Sequence, residues 1–321
     1  MSLQPWLMPT WKLLAPRIGR GELPHAVLIS GPRGLGKRVL ADKLIAAALC
    51  EQRGEHGFAC ASCRACQLLA AGSHPDRVLV TLELRDDGKV RSDILIEQIR
   101  ALSQRLALSS QFGGLQLALV DPADRMNASA ANALLKTLEE PSSRTIIVLV
   151  ADDPARLPAT IRSRCQRFEI KLPAQAEACA WLERSGLDAS LARRVLDASL
   201  GNPGLALQAS QQGVLELKAS CRSDLQALGQ GRAQALQIAE NWVADRPDER
   251  LWHAAVIARE ESERLANGGE GQLGLQAGAG IAELAAWFAA ANRTRQLLSS
   301  QVRSDLVLLD LLHTWPSARR S

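Results

Sequence analysis

The sequence predicts an α/β domain built on a parallel sheet, followed by a region made only of helices. Between residues 26 and 170, apolar runs rich in Val, Ile and Leu alternate with segments whose apolar residues recur at helical spacing. After Pro173 the composition changes, because only nine Val or Ile occur from Ala174 to Ser321, while Ala, Leu, Gln, Glu and Arg dominate. Such a composition is typical of helical domains.

Five strands and three helices are predicted in the α/β half. The strands are Ala26–Ser30, Arg77–Leu82, Leu115–Val120, Thr145–Val150 and Gln166–Ile170. The helices are Lys37–Leu49, with Leu40, Leu44 and Ala48 on one face, Ile94–Leu106, and Ala130–Leu138 after the possible caps Asn127 and Ser129. Continuous apolar strands belong to a parallel sheet that is covered by helices on both faces.

The segment from Gly31 to Arg38 has the form of a phosphate-binding loop with one departure. Its sequence, GPRGLGKR, follows the pattern G-x-x-x-x-G-K-[ST] except at the last position. Gly31, Gly34 and Gly36 would let the backbone N–H groups point inward, and Lys37 would reach the outer phosphates. A Ser or Thr hydroxyl normally ligates magnesium where Arg38 stands, so we expect weak metal binding. The alternative is a glycine-rich turn without a ligand.

Four of the seven cysteines form the pattern C-x9-C-x2-C-x2-C directly after the helix that follows this loop. They are Cys50, Cys60, Cys63 and Cys66. Paired C-x2-C spacing brings thiolates to one tetrahedral metal, so the pattern predicts a structural zinc site. An iron–sulfur cluster is the main alternative, and contact of this module with DNA is another. Disulfides are not expected, because the chain start lacks an export signal.

Asp121 follows the predicted strand Leu115–Val120, where phosphate-loop ATPases place their second acidic motif. In such enzymes the Asp assists magnesium and a following Glu polarises the attacking water. Pro122 occupies the position of that Glu. Since proline accepts no proton, the missing general base would cost about 10²- to 10⁴-fold in rate. The alternative for Asp121 is a turn or capping residue.

The helical half is divided at Gly201-Asn202-Pro203-Gly204 and by the glycine-rich stretch Gly268–Gly280. We therefore predict three domains: residues 1–172 with the cysteine module at about 50–66, residues 173–208, and residues 209–321. Tryptophans are expected to anchor the core of the last domain. They are Trp242, Trp252, Trp287 and Trp315.

Composition limits the class of protein. With 321 residues, 47% hydrophobic and 22% charged, the chain is neither disordered nor fibrous. Its apolar runs are too short to span a membrane, so a cytoplasmic protein is expected. The net charge of +4 permits nucleic acid nearby without indicating a dedicated binding surface.

Two longer segments carry a resemblance to a known family. Residues 121–141, DPADRMNASAANALLKTLEEP, and residues 157–165, LPATIRSRC, resemble the clamp-loader branch of the AAA+ family. The run NALLKTLEEP and the triplet SRC are hallmarks of that branch, and the resemblance extends over nearly the whole chain. It implies an AAA+ phosphate-loop domain with a zinc-module insertion, a small helical lid domain and a C-terminal helical collar.

Bacterial clamp loaders contain an ATP-hydrolysing motor subunit and a stator subunit without catalysis. The departures favour the stator, with no ATPase activity expected from the isolated chain. These are Arg38, Pro122, Ala151-Asp152 in place of a Thr or Asn sensor, and Gly204 near the position of a lid arginine. The alternative is an active motor subunit or a related remodelling ATPase. A nucleotide kinase would need an Arg-rich lid and would not explain SRC.

The resemblance also implies a role for Arg164 and a set of partners. The arginine of SRC would reach the γ-phosphate of ATP on a neighbouring subunit, although Arg164 could instead belong to a basic surface with Arg162 and Arg167. Cys165 is expected to be a small buried residue. The implied partners are the motor and delta subunits of the DNA polymerase III clamp loader in a heteropentameric ring, the sliding clamp and, through the complex, primed DNA. ATP is expected at the neighbour's site and structural zinc in this chain.

Overall fold

The computed structural model describes residues 3–85, 88–142, 144–211, 213–273, 275, 280–298 and 302–316. The chain divides into two compact units, residues 1–207 and 208–321. A further boundary near residue 173 stays a prediction. None of the helices in these described ranges has both the length and the apolar character needed to cross a membrane.

A parallel sheet forms the centre of the first unit. Its strands, within the described residues, are β1 (Ala26–Ser30), β2 (Arg77–Val80), β3 (Gln116–Val120), β4 (Thr145–Ala151) and β5 (Gln166–Glu169). The order across the sheet is β2-β3-β4-β1-β5 and every neighbouring pair is parallel. All residues of β1, β3 and β4 are buried. The predicted α/β parallel-sheet class is confirmed.

Helices cover both faces of this sheet. The α-helices up to residue 211, within the described residues, are α1 (Met8–Arg20), α2 (Lys37–Leu49), α3 (Arg64–Ala70), α4 (Ile96–Ala107), α5 (Ala128–Glu139), α6 (Ala159–Arg164), α7 (Gln175–Arg184), α8 (Ala189–Ala198) and α9 (Pro203–Gln211). Those with residues buried in the cores on the two faces are α1, α2, α4, α5 and α6. Because side chains alternate along a strand, Val27 and Ile29 pack in one core with α1 and α2. Ala26 and Leu28 pack in a second core with α4 and α5.

Several predicted boundaries differ from the structure. Helix α4 begins at Ile96, because Ile94 is held in a bridge with Met126. Asn127 caps α5, since its side-chain oxygen accepts from the backbone N–H of Ala130 at 2.8 Å, so the prediction of Ser129 as a cap is wrong. Strands β2, β3 and β5 are shorter than predicted, and Ala48 is only half-buried.

The second unit is helical, as predicted. Its helices, within the described residues, are α10 (Val214–Gly229), α11 (Ala235–Ala244), α12 (Pro247–Ala266), α13 (Gly280–Leu298) and α14 (Ser304–His313). Trp242, Trp287 and Trp315 belong to its core. Trp252 is only half-buried, with its ring edge-on to His253, so it is not a core anchor. Of the predicted glycine-rich loop, residues 274 and 276–279 lie outside the described residues.

Candidate functional site

The phosphate-loop segment lies at the carboxyl end of β1, where it connects that strand to α2. Gly31, Gly34 and Gly36 have φ values of 138°, 87° and 80°, which residues with a Cβ rarely adopt. Strands β4 and β3 end beside the loop and bring Asp152 and Asp121 to the same edge of the sheet. Ligand sites of open parallel sheets form at this edge.

The Lys37 side chain points into the loop instead of toward solvent and is only 3% exposed. Its Nζ donates to the carbonyl oxygens of Gly31 at 2.6 Å and Pro32 at 2.8 Å, and it pairs with Asp152 Oδ1 at 2.7 Å. The buried Asp124 holds the backbone N–H of Asp152 at 3.3 Å. A lysine ammonium has three N–H donors. All three therefore have partners within the protein.

The guanidinium of Arg38 lies beside the acidic residue at the end of β3. Its Nη1 is 2.8 Å from Asp121 Oδ2, and its Nε is 3.1 Å from Asp42 Oδ2. Asp42 in turn pairs with Arg77 at 3.0 Å. Burial raises the pKa of Asp121 above its ordinary value, while the hydrogen bond from Arg38 opposes this rise. A fixed cation of the protein thus pairs with the carboxylate at the end of β3.

The start of α9 covers the loop by direct backbone contact. Asn202 Nδ2 donates to the Arg33 carbonyl oxygen at 2.7 Å, and Asn202 Oδ1 accepts from the backbone N–H of Leu205 at 3.1 Å. A Cβ at Gly204 would overlap the carbonyl oxygen of Gly34. Position 204 therefore accepts only glycine in this packing, which excludes an arginine there.

The N-terminal residues cover the loop as well, which the sequence analysis missed. Trp6 Nε1 donates to the Leu35 carbonyl oxygen at 2.9 Å, and the Trp6 ring packs edge-on to Trp181 with 5.2 Å between centroids. The Gln4 side chain lies so close to Gly36 that a Cβ there would be 2.8 Å from Gln4 Oε1. No local motif marks Gln4 or Trp6, because their importance comes from where the chain start packs.

The four predicted cysteine ligands come together in one cluster. All four sulfurs, those of Cys50, Cys60, Cys63 and Cys66, lie within 4.8 Å of one another. The Cys50–Cys63 and Cys60–Cys66 sulfur separations are 3.9 and 4.0 Å. Ligands 2.3 Å from a tetrahedral zinc are separated by about 3.8 Å. A cluster with several irons would hold its sulfurs further apart, so this arrangement fits one tetrahedral ion.

The thiols of the cluster differ in pKa. Hydrogen bonding from Ser62 lowers the pKa of Cys60 to about 6. Burial raises the pKa of Cys66 to about 12. Backbone N–H groups of Cys60 and Cys63 point at the sulfurs of Cys50 and Cys60, each at 3.3 Å. The segment could therefore hold a metal such as zinc through four thiolates.

The cysteine module is attached to α1 by an aromatic stack. The rings of Trp11 and Phe58 are parallel within 5° and their centroids are 4.4 Å apart. Trp11 Nε1 also donates to the carbonyl oxygen of His56 at 3.0 Å. Since Trp11 is fully buried, the module is packed against the core of the first unit.

Arg164 belongs to a different part of the first unit from the loop residues. It is the last residue of α6, and its side chain is 36% exposed. Its Nη1 donates to the Thr160 carbonyl oxygen at 2.9 Å and its Nη2 pairs with Glu139 Oε1 at 2.7 Å. Arg167 donates to the carbonyl oxygen of Arg162 at 3.1 Å. The neighbouring Cys165 is buried as predicted, and burial raises its pKa to about 11.

A family model and three known proteins that match this chain are all DNA polymerase III subunits. Residues 7–174 match the family model described as "DNA polymerase III, delta subunit". DNA polymerase III subunit delta' of Pseudomonas aeruginosa is 38% identical over 75% of this chain, and that of Escherichia coli is 37% identical over 64%. The tau subunit of Bacillus subtilis is 33% identical over 47% of this chain and 25% of its own length.

The matches extend over most of the length of these two delta' relatives. The chain spans 71% of the length of the Pseudomonas aeruginosa relative and 60% of the Escherichia coli relative. The family match covers the sheet, the loop, the cysteine cluster and Arg164. The chain belongs to the family of DNA polymerase III delta' subunits.

Proposed function

We propose that this chain is a non-hydrolysing stator subunit of a DNA polymerase III clamp loader, and that it supplies Arg164 to an ATP site on a neighbouring subunit. The contacts of Lys37 are the main support for the proposal that this chain does not hydrolyse ATP. An active phosphate loop needs its lysine free to reach the β- and γ-phosphates. Here Lys37 is 3% exposed and directs all three donors at Gly31, Pro32 and Asp152.

Three further features support a phosphate-loop segment that does not hydrolyse ATP. Arg38 forms an ion pair with Asp121, so a cation occupies the side of the loop that magnesium would need. Pro122 cannot act as a general base. Gly204 touches Gly34 through its backbone and carries no group for a phosphate. ATP binding and hydrolysis would require several of these contacts to change at once.

Arg164 has the properties of a residue that acts on another chain. Its guanidinium is partly exposed and lies on α6, whereas the loop contacts involve β1, α2 and α9. An arginine beside a γ-phosphate stabilises the charge that develops in phosphoryl transfer and accounts for about 10³- to 10⁵-fold in rate. A site on a neighbouring chain would give this arginine a catalytic role even though its own loop is inactive.

The proposed partners follow from the family. They are the motor and delta subunits in a heteropentameric ring, the sliding clamp and primed DNA reached through the complex. The helical second unit would form the collar through which subunits associate, and the cysteine cluster would hold a structural zinc. A role in chromosome replication would place the chain in the bacterial cytoplasm.

The proposed action of Arg164 on the ATP of a neighbouring subunit, its trans role, is tested by substituting Arg164 in the reconstituted complex. We expect Arg164→Ala to leave assembly and zinc content unchanged, while ATP hydrolysis at the adjoining site falls by about 10³-fold and clamp loading slows. Arg164→Lys should restore little, because an ammonium lacks the planar fork that engages two phosphate oxygens. The measurement is single-turnover ATP hydrolysis with clamp and primed DNA.

Arg162→Ala is the matched control, since Arg162 lies on the same short helix. It should hydrolyse and load at the wild-type rate. If Arg164→Ala stays within about twofold of wild type, Arg164 is part of a basic surface and the trans role is wrong.

A further inference from the structure

We infer that Glu139 is a positioning residue that orients Arg164 for the ATP of the neighbouring subunit. The inference rests on the proposed trans role of Arg164. It comes from one ion pair, in which Glu139 Oε1 lies 2.7 Å from Arg164 Nη2. Glu139 ends α5 and Arg164 ends α6, so the pair joins the ends of two helices.

The guanidinium of Arg164 is held at two nitrogens by two different groups. Nη1 donates to the carbonyl oxygen of Thr160 at 2.9 Å, and Nη2 contacts Glu139. A guanidinium has five N–H donors in one plane. Two contacts fix the plane and leave three donors for a phosphate. The orientation is thereby set before a partner binds, which is what a transition-state contact requires.

Helix stability does not explain a glutamate at position 139. The carboxyl end of a helix carries partial negative charge, so a carboxylate there is unfavourable, and Glu140 adds a second one. Lys136, in the same last turn, has the favourable sign. An ion pair between half-exposed side chains, 36% for Arg164 and 50% for Glu139, contributes little to folding. Its effect should therefore be on the geometry of Arg164.

Helices α5 and α6 differ in how many of their residues are buried in the core. Helix α6 has six residues and contributes Ile161 to the core, whereas α5 has twelve residues and contributes Ala130, Leu134 and Leu138. The side chain at the end of a short helix is free to move unless another element holds it. Glu139 ties that side chain to the better anchored helix.

The test is single-turnover ATP hydrolysis by the reconstituted complex that contains Glu139→Ala. We expect the rate at the adjoining site to fall about tenfold, with the KM for ATP changed by less than about twofold, because orientation and not binding is lost. Glu139→Gln should keep at least half of the wild-type rate, since its amide oxygen still accepts from Nη2. Glu140→Ala, the control, should behave as wild type.

A double variant shows whether Glu139 acts through Arg164. In the Arg164→Ala background, Glu139→Ala should cause no further loss. A further loss there, or an increase in rate for Glu139→Ala alone, would overturn the inference. If Arg164→Ala slows hydrolysis but Glu139→Ala does not, only the positioning role is wrong. If Arg164→Ala has no effect, the trans role and the positioning role fail together.

Discussion

Single side chains of this protein pair opposite charges at the edge of the sheet where the phosphate-loop segment lies. Lys37 pairs with Asp152 and Arg38 with Asp121. Each pair places opposite charges within hydrogen-bond distance at a partly buried edge of the sheet. Freeing one partner would leave the other without its counter-ion, which is unfavourable in a partly buried site. The loop is therefore stable in a form that does not present its lysine.

The buried residue His253 is expected to make the stability of the protein depend on pH. It is buried on α12, and its Nδ1 has no hydrogen-bond partner among the described residues. Burial, together with the nearby cations of Lys218, Arg246 and Arg295, lowers its pKa from 6.5 to about 4. The folded protein therefore keeps this imidazole neutral, while the unfolded chain takes up a proton below about pH 6.5.

The sign of the pH effect follows from that difference. Because the folded pKa is the lower one, the contribution of His253 is fully present above pH 6.5 and is lost as pH falls toward 4. We expect the free energy of unfolding to decrease by about 2 kcal/mol between pH 7.5 and pH 5 from this residue. Urea unfolding of wild type and His253→Gln at both pH values measures it.

The variant comparison separates His253 from other titrating groups. His253→Gln should lose about 2 kcal/mol less than wild type over this pH range. His313→Gln, which changes an exposed histidine on α14, should lose as much free energy of unfolding between pH 7.5 and pH 5 as wild type. If His253→Gln also loses as much as wild type, His253 is charged in the folded protein at pH 5.

At the scale of elements, the cysteine module gathers its four sulfurs into one cluster and contacts α1 through Trp11. Between Glu51 and Arg64 it contributes few aliphatic side chains, so hydrophobic burial contributes little to its stability. Structural zinc contributes on the order of 10 kcal/mol of apparent binding energy in small modules. The metal should therefore decide whether this segment is ordered.

Removal of one ligand tests that dependence. We expect about one zinc per wild-type chain and almost none in Cys63→Ser, by elemental analysis of protein purified without added zinc. Hydrogen exchange should become fast for residues 50–71, since the module loses its cross-link. The helices of the second unit should keep their protection.

Cys179→Ser provides the matched control. Cys179 is half-buried on α7 and lies outside the cluster. This variant should bind zinc and exchange as wild type does. Iron in place of zinc, or a wild-type chain without metal, would contradict the zinc assignment.

On the scale of the whole molecule, separate cores support the two units. Two clusters on the faces of the sheet lie in the first unit, and a third, with Trp242 and Trp287, lies in the second. Among the described residues, the contacts that cover the loop come from the N-terminal residues and from the start of α9, both in the first unit. The engaged position of Lys37 and the cover over the loop are thus formed within the first unit.

ATP turnover by the purified chain tests whether the loop is inactive, as proposed. We expect phosphate release at the background rate, because Lys37 is paired with Asp152, Arg38 is paired with Asp121 and Pro122 can accept no proton. Lys37→Ala is the control and should give the same background. Turnover that Lys37→Ala abolishes would contradict the non-hydrolysing role and would identify the chain as an active ATPase.

Much of the site was determined by the sequence alone, because the signals are local. Apolar runs and helical spacing predicted all five strands and the helices α2, α4 and α5. The glycines of the loop and the spacing of four cysteines indicated their chemistry within a few residues of chain. Helix α1 was missed, because Pro9 and Pro16 lie within it and obscure the helical pattern.

Tertiary structure alone decided how these parts act on one another. Asn202 reaches Arg33 across 169 positions of sequence, and Glu139 and Arg164 meet because two helices end side by side. Local propensity carries no information about such pairs, since they depend on where packed elements place their ends. Departures from an ATPase motif could be read in the sequence. That Lys37 is fully engaged within the protein became visible only when β1, β4 and α2 were assembled.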